Sequence, residues 1–349
     1  MAEQGLSDRY SGVTLAALQK DERFIEPVKN LTRENPMIRY IPVHGANGML
    51  SHTGSRQTSL PTATVTKLGG YWPRTVAQWE KFTDDIAMFH DSIAVPRDTL
   101  MKVADPLRKA RAIKAAHWDA LGQSCENALL SSDSSADPEK FDGLEVRYKT
   151  PDNATGATYH ELNPDPSTAA DYGVYDAGGT GTGASADTTS IWILQLGEEK
   201  VTLRVPMHDP ALGFEYLDLG DQNVEADPDD STQHRLEWQA ELSWSFGPSI
   251  ADLRAVARIR NIETAISGVS NSTIRLLYQA INEAFHGPEP KMMFVPPRIM
   301  THFLILAESK QNIQWSADNP WNIRLPMFGD VPIRQSRAIT ITEAAVAAV

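Results

Sequence analysis

The chain has 349 residues, 41% of them hydrophobic and 22% charged, which is apolar enough to fill one large core or two modest ones and excludes compositional disorder. With 32 Lys and Arg against 45 Asp and Glu its net charge is -13, the wrong sign for a surface that grips phosphate throughout, so nucleic-acid contact needs a local basic face. The single cysteine, Cys125, excludes an intrachain disulfide framework and a Cys-rich zinc site and fits a reducing compartment.

The opening residues, MAEQGLSDRYSGVTLAALQKDER, are too polar for a signal-peptide core. No later run approaches the ~18 apolar residues that span a bilayer, so neither secretion nor a membrane partner is expected. Residues 1–32 hold one short amphipathic segment around Leu15 and Leu18 and a charged run broken by Pro27, which reads as an arm. Residues 33–72 carry two strand-like pieces, Ile38 to Val43 and Ala63 to Leu68, around a polar, Gly-rich middle. This pattern predicts a long hairpin with its tip at 45–58. A two-stranded ribbon is marginal in water, and this one lacks the apolar residues for a core of its own, so it needs another surface to lie on.

Asp105 to Leu130 reads as a long helix: Asp105 caps it, Pro106 opens the first turn, and Leu107, Ala110, Ile113, His117, Leu121 and Ala128 fall on one stripe. Lys102, Arg108, Lys109, Arg111 and Lys114 gather at its amino end. They form either a solvated face or an inner wall facing a packaged polyanion. A short FDGLEVRY strand follows, and then a Gly-, Asp-, Thr- and Pro-rich surface excursion from Lys149 to Ala186. Thr189 to Val205 reads as two strands that begin a core sheet, the first apolar on both faces.

Glu215 to Asp230 holds seven carboxylates and no base and reads as an acidic loop leading into strands at Leu236 to Phe246 and Leu253 to Ile259. In the second of these, Leu253, Ala255, Ala257 and Ile259 alternate with arginines, Arg254 and Arg258 among them, and Arg260 follows, which predicts one buried and one positive face. Ser272 to Phe285 is a helix with Ile274, Leu277, Ile281 and Phe285 on one face, stopped at Gly287-Pro288. Strands are expected at Met292 to Val295 and Phe303 to Ala307, and the terminal FGDVPIRQSRAITITEAAV closes as a strand pair. The order is α+β, without regular βαβ alternation.

Patterns that carry chemistry are weak. GGTGTG at Gly178 to Gly183 lacks a following GK[ST] and runs into a strand, so it does not read as a phosphate loop. The histidines have no HxxxH spacing, and DPDDST at Asp227 lacks the glycine and the final glutamate of a calcium loop. Cys125 lies near the apolar side of its helix, where a packed side chain is the simpler reading than a nucleophile. Trp192, Trp238, Trp244, Trp315 and Trp321 read as core and contact anchors, with a sugar platform as the alternative. No catalytic, metal or cofactor site is expected.

Several phrases, taken in order, resemble the major capsid proteins of tailed bacteriophages with the Hong Kong 97-like fold. They are ENP at Glu34 to Pro36, R-x-x-x-LP at Arg56, Leu60 and Pro61, FDGL at Phe141 to Leu144, and TSIWIL-x-x-GEE-x-V at Thr189 to Val201. YLDLG at Tyr216 to Gly220, LRAVARIRNIE at Leu253 to Glu263 and GDVPIR-x-x-x-AI-x-x-TEAAV at Gly329 to Val346 complete the set.

The resemblance implies an N-terminal arm at 1–32 and an extended loop at 33–75. It implies a peripheral domain at 76–187 with a spine helix at 105–130, and an axial domain at 188–349 whose strands 236–263 return to the peripheral domain. The buried GEE-type strand pair precedes the second helix, unlike the commoner order, which implies a rearranged strand order. Asn47, Arg56, Leu60, Pro61 and Trp72 become subunit-contact residues of the extended loop, and Lys102, Arg108, Lys109, Arg111 and Lys114 an inner basic face.

The implied function is an icosahedral head shell of pentamers and hexamers enclosing double-stranded DNA held by non-specific contact. Portal, scaffolding and decoration proteins are the implied partners. No charged helical segment precedes residue 33 to act as a removable scaffold, so a separate scaffolding protein or self-association is expected. An encapsulin-like compartment and, in a different class, a β-rich carbohydrate-binding or carbohydrate-active protein are the alternatives.

Overall fold

The computed structural model describes residues 19–20, 23–24, 35–71, 74–102, 105–149, 173–180, 187–207, 213–227, 230–265, 269, 271–285, 287–310, 314–315 and 326–346. In chain order the elements are β1 (Gln19–Lys20), β2 (Arg23–Phe24), α1 (Pro36–Tyr40), β3 (Val43–Gly45), β4 (Ser51–Ser59), β5 (Gln78–Asp85), β6 (Ala87–Pro96), α2 (Arg97–Met101), α3 (Pro106–Ser131) and α4 (Leu144–Arg147). There follow β7 (Val174–Asp176), β8 (Thr188–Gln195), β9 (Val201–Val205), β10 (Phe214–Asp227), β11 (Asp230–Ile250), β12 (Val256–Glu263), α5 (Asn271–Gln279), a π turn (Ala280–Ala284), β13 (Lys291–Val295), α6 (Pro297–Lys310), β14 (Gln314–Trp315), β15 (Pro326–Phe328) and β16 (Val331–Gln335). Apart from β1 and β2, the expected arm lies outside the described residues, as does most of the excursion from Lys149 to Ala186.

The chain divides into two compact units, each discontinuous in sequence. One contains Met1–Arg33, Met88–Cys125 and Asp209–Ser245; the other contains Glu34–Ala87, Glu126–His208 and Phe246–Val349.

In the first unit, α3 starts as expected: the Asp105 carboxylate accepts from the Arg108 amide at 3.0 Å, and Pro106 opens the helix. Ile113, Leu121 and Cys125 form its buried stripe, whereas Leu107, expected there, is 72% exposed. The segment read as an acidic loop is the strand β10, which pairs antiparallel with β11 from Phe214↔Trp244 to Asp227↔Asp230. The carboxylates are compatible with a strand because β10 lies at the end of its sheet, where Glu215, Asp218 and Asp221 are exposed. Gly220, at φ 68, supplies the register shift after Asp218 that a side chain with Cβ resists. Phe214 stacks on Trp244 with ring centroids 4.5 Å apart, Trp118 lies 6.0 Å from Phe214, and the Lys114 ammonium sits 3.8 Å over Tyr216, so α3 covers this face of the ribbon.

The second unit is built on a seven-stranded sheet in the order β14-β15-β16-β13-β8-β12-β7. The interior strand β8, between β13 and β12, is buried at every position, as the run of apolar residues predicts. Ile191, Ile259, Leu277, Val295 and Phe303 belong to one core cluster that joins β8, β12 and β13 to α5 and α6. β9 belongs to a different sheet, pairing with Gly247–Ile250 of β11 and in parallel with β3, so the two strands read from Thr189 to Val205 do not form one hairpin.

Four further expectations are corrected. The first half of Ile38 to Val43 lies in helix α1, because Pro36 presets the first helical turn, and β3 is only three residues long. FDGLEVRY contains the helical turn α4, and Phe303 to Ala307 lies inside α6, where Ile299 and Phe303 bury one helical face four residues apart. The positive face of β12 does not reach solvent, since Arg258 and Arg260 are buried.

Candidate assembly surfaces

The hairpin exists but in a different frame. β4 and β5 pair from Ser51↔Asp85 to Ser59↔Gln78, so the tip is 60–77 and the segment read as the tip, 45–58, forms most of one arm. Its base is pinned from several sides. The Asn47 amide donates to the Thr53 carbonyl at 2.6 Å and accepts from the Thr53 amide at 2.8 Å, and the Ile86 amide bonds Leu50 at 2.9 Å. Arg147 on α4 reaches the buried Asp84 carboxylate at 2.6 Å. Along the stem the Arg56 guanidinium lies 4.6 Å above the Phe82 ring.

Beyond the stem, burial stops. Leu60, Val65, Leu68, Tyr71 and Val76 are exposed, three of them completely, and Trp79 is largely exposed beside them. A Thr75 hydroxyl to Thr62 carbonyl bond at 3.2 Å ties the two sides of the tip. Contiguous exposed apolar side chains on a two-stranded ribbon are uncommon on a surface that stays in water. Each one buried contributes roughly 1.5–3 kcal/mol of gross stabilisation, so the set outweighs any single polar contact on the hairpin.

The expected contact residues thus separate by position. Asn47 clamps the base, Arg56 packs on the stem, Leu60 and Pro61 begin the exposed tip, and Trp72 lies outside the described residues. The expected basic face is not a single face. Lys102, Arg108 and Arg111 are exposed, Lys114 is engaged with Tyr216, and Lys109 is 1% exposed, its pKa lowered by burial. Lys109 falls on the inward side of α3 because it stands four residues before the buried Ile113.

Two polar features escaped the sequence reading. Arg258 meets Glu343 of the carboxyl-terminal segment inside the second unit. Burial, and then the Glu343 carboxylate, raise the pKa of the neighbouring Glu145. Glu126, the last carboxylate on α3, is fully buried between the Ser336 hydroxyl, which donates to it at 2.7 Å, and the Met37 amide, and burial pushes its pKa up to about 7. The alternation of arginine along β12 was the one available signal for the first; nothing in the pattern of α3 marked the second.

The fold is the Hong Kong 97-like fold of phage capsids. The chain resembles the near-atomic structure of bacteriophage epsilon15 over 99% of both chains, with 18% identity and a TM-score of 0.69. It also aligns with the bacteriophage JBD30 capsid (14% identity, 94% of this chain and 99% of that one, TM-score 0.48). A further alignment is with the holo-SrpI encapsulin of Synechococcus elongatus (9% identity, 75% and 97%, TM-score 0.40). No curated protein sequence matches at comparable significance. The profile of the family described as Major capsid protein GP7 matches residues 19–347, nearly the whole chain, and the chain therefore belongs to that family as a shell-forming capsid protein.

Proposed function

We propose that this chain is the principal head subunit of a tailed phage, that it closes as pentamers and hexamers into an icosahedral shell around double-stranded DNA, and that it catalyses no reaction. The observation that carries this reading is the exposure of Leu60, Val65, Leu68, Tyr71 and Val76 at the hairpin tip, which no described residue covers. On this reading the β4–β5 hairpin is the extended loop, the unit holding most of α3 and the β10–β11 ribbon is the peripheral domain, and the unit holding the seven-stranded sheet is the axial domain. Many modest interfaces of this kind sum to a closed shell. Exposed Lys102, Arg108 and Arg111 supply loose phosphate contact while the net charge of -13 keeps DNA from sticking elsewhere. Scaffolding, portal and decoration proteins would join this subunit in the host cytoplasm during assembly.

Replacing residues 61–76 by a short Gly-Ser turn tests the reading. The truncated chain is expected to fold with unchanged circular dichroism and to form no particles by negative-stain microscopy. Normal shells from that chain would remove the hairpin from assembly.

A further inference from the structure

The segment 336–346 lies along β8 and β12 as a strap. Most of its residues are exposed or half-buried; Ser336, Ile339 and the Glu343 side chain are the buried ones. Polar bonds rather than apolar area hold it, the condition for a segment that opens while the core behind it stays closed. Its far end is read by Asn261, whose side chain donates to the Val346 carbonyl at 2.8 Å and accepts from the Val346 amide at 3.1 Å. Among the described residues Asn261 is the one residue other than glycine with a positive φ, 57, at the register shift of β12. Such a conformation persists where its surroundings over-determine it.

The strap also acts on α4. Arg258, the partner of Glu343, donates to the Tyr148 carbonyl, and Arg260 donates to the Lys149 carbonyl at 2.6 Å and to the Ala344 carbonyl of the strap at 3.5 Å. Tyr148 closes α4 through its amide bond to the Leu144 carbonyl. The residue before it, Arg147, donates to the Asp84 carboxylate at the hairpin base. The second oxygen of that carboxylate is buried without a hydrogen-bond partner among the described residues, so Asp84 depends on Arg147. Glu343, Arg258, α4 and Asp84 thus form an unbroken line of contacts from the strap to the hairpin. α4 carries in addition Glu145, a half-buried carboxylate that Glu343 repels and that Arg258 and Arg260 attract.

We propose that the strap sets the hairpin base through α4, which has two positions. With the strap seated, Glu343 occupies the two arginines, Glu145 is held off, and Arg147 reaches Asp84. With the strap released, Arg258 and Arg260 draw Glu145 and α4 with it, and Arg147 leaves Asp84. The relief is partial, because the released state strands the buried Asp84 in place of the arginines. This element with two arrangements, biased from both ends, is the physical basis of coupling between distant sites, and the coupling is reciprocal. It belongs to the single subunit and does not depend on the role of the hairpin in a shell.

Amide hydrogen exchange on the unassembled full-length chain tests it. Asn261→Gly keeps the positive φ and removes both bonds to Val346; Val346→Pro removes one of them from the half-buried strap and guards against misfolding of the first variant. In each, the Glu343 amide is expected to lose protection, and the Ile86 amide, bonded to Leu50 at the hairpin base, to exchange at least about fivefold faster. The Leu196 amide, bonded to Pro290 at the other end of β8, is expected to change less than about twofold. Asp84→Asn is expected to speed exchange of the Glu343 and Val346 amides in return. Adding Glu145→Gln to either strap variant removes the carboxylate that moves α4 and is expected to return Ile86 to the parent rate. Loss of protection at Glu343 with Ile86 unchanged, an equal rise at Leu196, or an Ile86 response that survives Glu145→Gln would each overturn the coupling.

Discussion

Arg258 and Glu343 stand 85 residues apart and meet as an almost fully buried ion pair, Nη2 to Oε2 2.9 Å. The same guanidinium donates to the Ser190 hydroxyl at 3.0 Å and the Tyr148 carbonyl at 2.7 Å and lies 4.5 Å from the centre of the Trp192 ring. Ser190 in turn donates to Glu343 Oε2 at 2.6 Å. Around this pair the carboxyl-terminal segment is fastened to β8 and β12: Thr188 and Glu343 bond through their backbones, the Thr189 hydroxyl donates to Thr340 at 2.7 Å, and Asn261 bonds Val346 in both directions.

Removing one member of a buried pair strands the other charge, and that loss exceeds the net worth of the pair. Glu343→Ala is expected to lower the stability of the unassembled subunit by about 3–5 kcal/mol in urea denaturation. Glu343→Gln, which keeps an acceptor for Arg258, is expected to lose less. A loss under about 1 kcal/mol for the alanine variant would mean that Arg258 finds water or another acceptor.

Glu126 gives the fold a pH dependence of definite sign. Burial raises its pKa from 4.5 to about 7, partly opposed by the bonds from Ser336 and Met37, so the folded chain holds a proton that the unfolded chain releases. Between about pH 4.5 and pH 7 this group therefore makes stability fall as pH rises, and above pH 7 its effect is constant. Glu126→Gln keeps a polar group of the same shape without the ionisation. Its denaturation midpoint, compared with that of the parent across pH 4 to 9, is expected to show a gain of order 2–3 kcal/mol at the alkaline end and little difference at the acid end. Equal curves would place the proton elsewhere.

Gly247 fixes how the returning arm of the hairpin joins its unit. A Cβ there would sit 2.0 Å from the Asp85 carbonyl oxygen and 3.1 Å from the Ile86 Cα, both backbone atoms at the point where β5 gives way to β6. Backbone yields less readily than a flexible side chain, so relief requires separating Gly247 from the end of β5. Gly247→Ala is expected to lower the midpoint of thermal unfolding by several degrees, a loss of roughly 1–3 kcal/mol. An unchanged midpoint would show that the two backbones part without loss.

What the sequence made legible follows a physical division. Elements specified locally were found close to their true bounds: α3 through Asp105, Pro106 and a helical apolar stripe, β8 through an unbroken apolar run, and the α5 segment through Ile274 and Leu277. Elements decided by tertiary partners were misread. The hairpin arms 51–59 and 78–85 are mostly polar, with 51–57 largely half-buried and 78–81 exposed, so alternation carries little burial signal there, and the apolar residues that suggested a strand at 63–68, Val65 and Leu68 among them, are exposed on the tip. Arginine on β12 signalled a charged face because the compensating Glu343 is remote in sequence. Among the residues singled out, Asn47 bonds within the base of the hairpin and Arg56 packs on Phe82 of its stem, whereas Lys109 is turned inward by the same helical period that identified α3.

Asn47 tests whether the hairpin is held as a rigid lever or left to swing. Its exposed side chain forms two bonds with the backbone of Thr53, spanning the turn between β3 and β4. An exposed pair of bonds contributes only about 1 kcal/mol to global stability, because water replaces both partners on unfolding. Asn47→Ala is therefore expected to leave the thermal midpoint within a few degrees of the parent. Protection of the Thr53 amide against hydrogen exchange, which its bond to the Asn47 side chain supplies, is expected to drop at least about fivefold. Asn47→Asp is the sharper variant: its carboxylate still accepts from the Thr53 amide but faces the Thr53 carbonyl without a donor. If the hairpin is a lever whose tip must meet a neighbour at a set angle, both variants slow assembly while folding normally, and Asp slows it more. Parent-like assembly kinetics with the Thr53 amide deprotected would show that the stem pairing of β4 and β5 alone sets the direction of the tip.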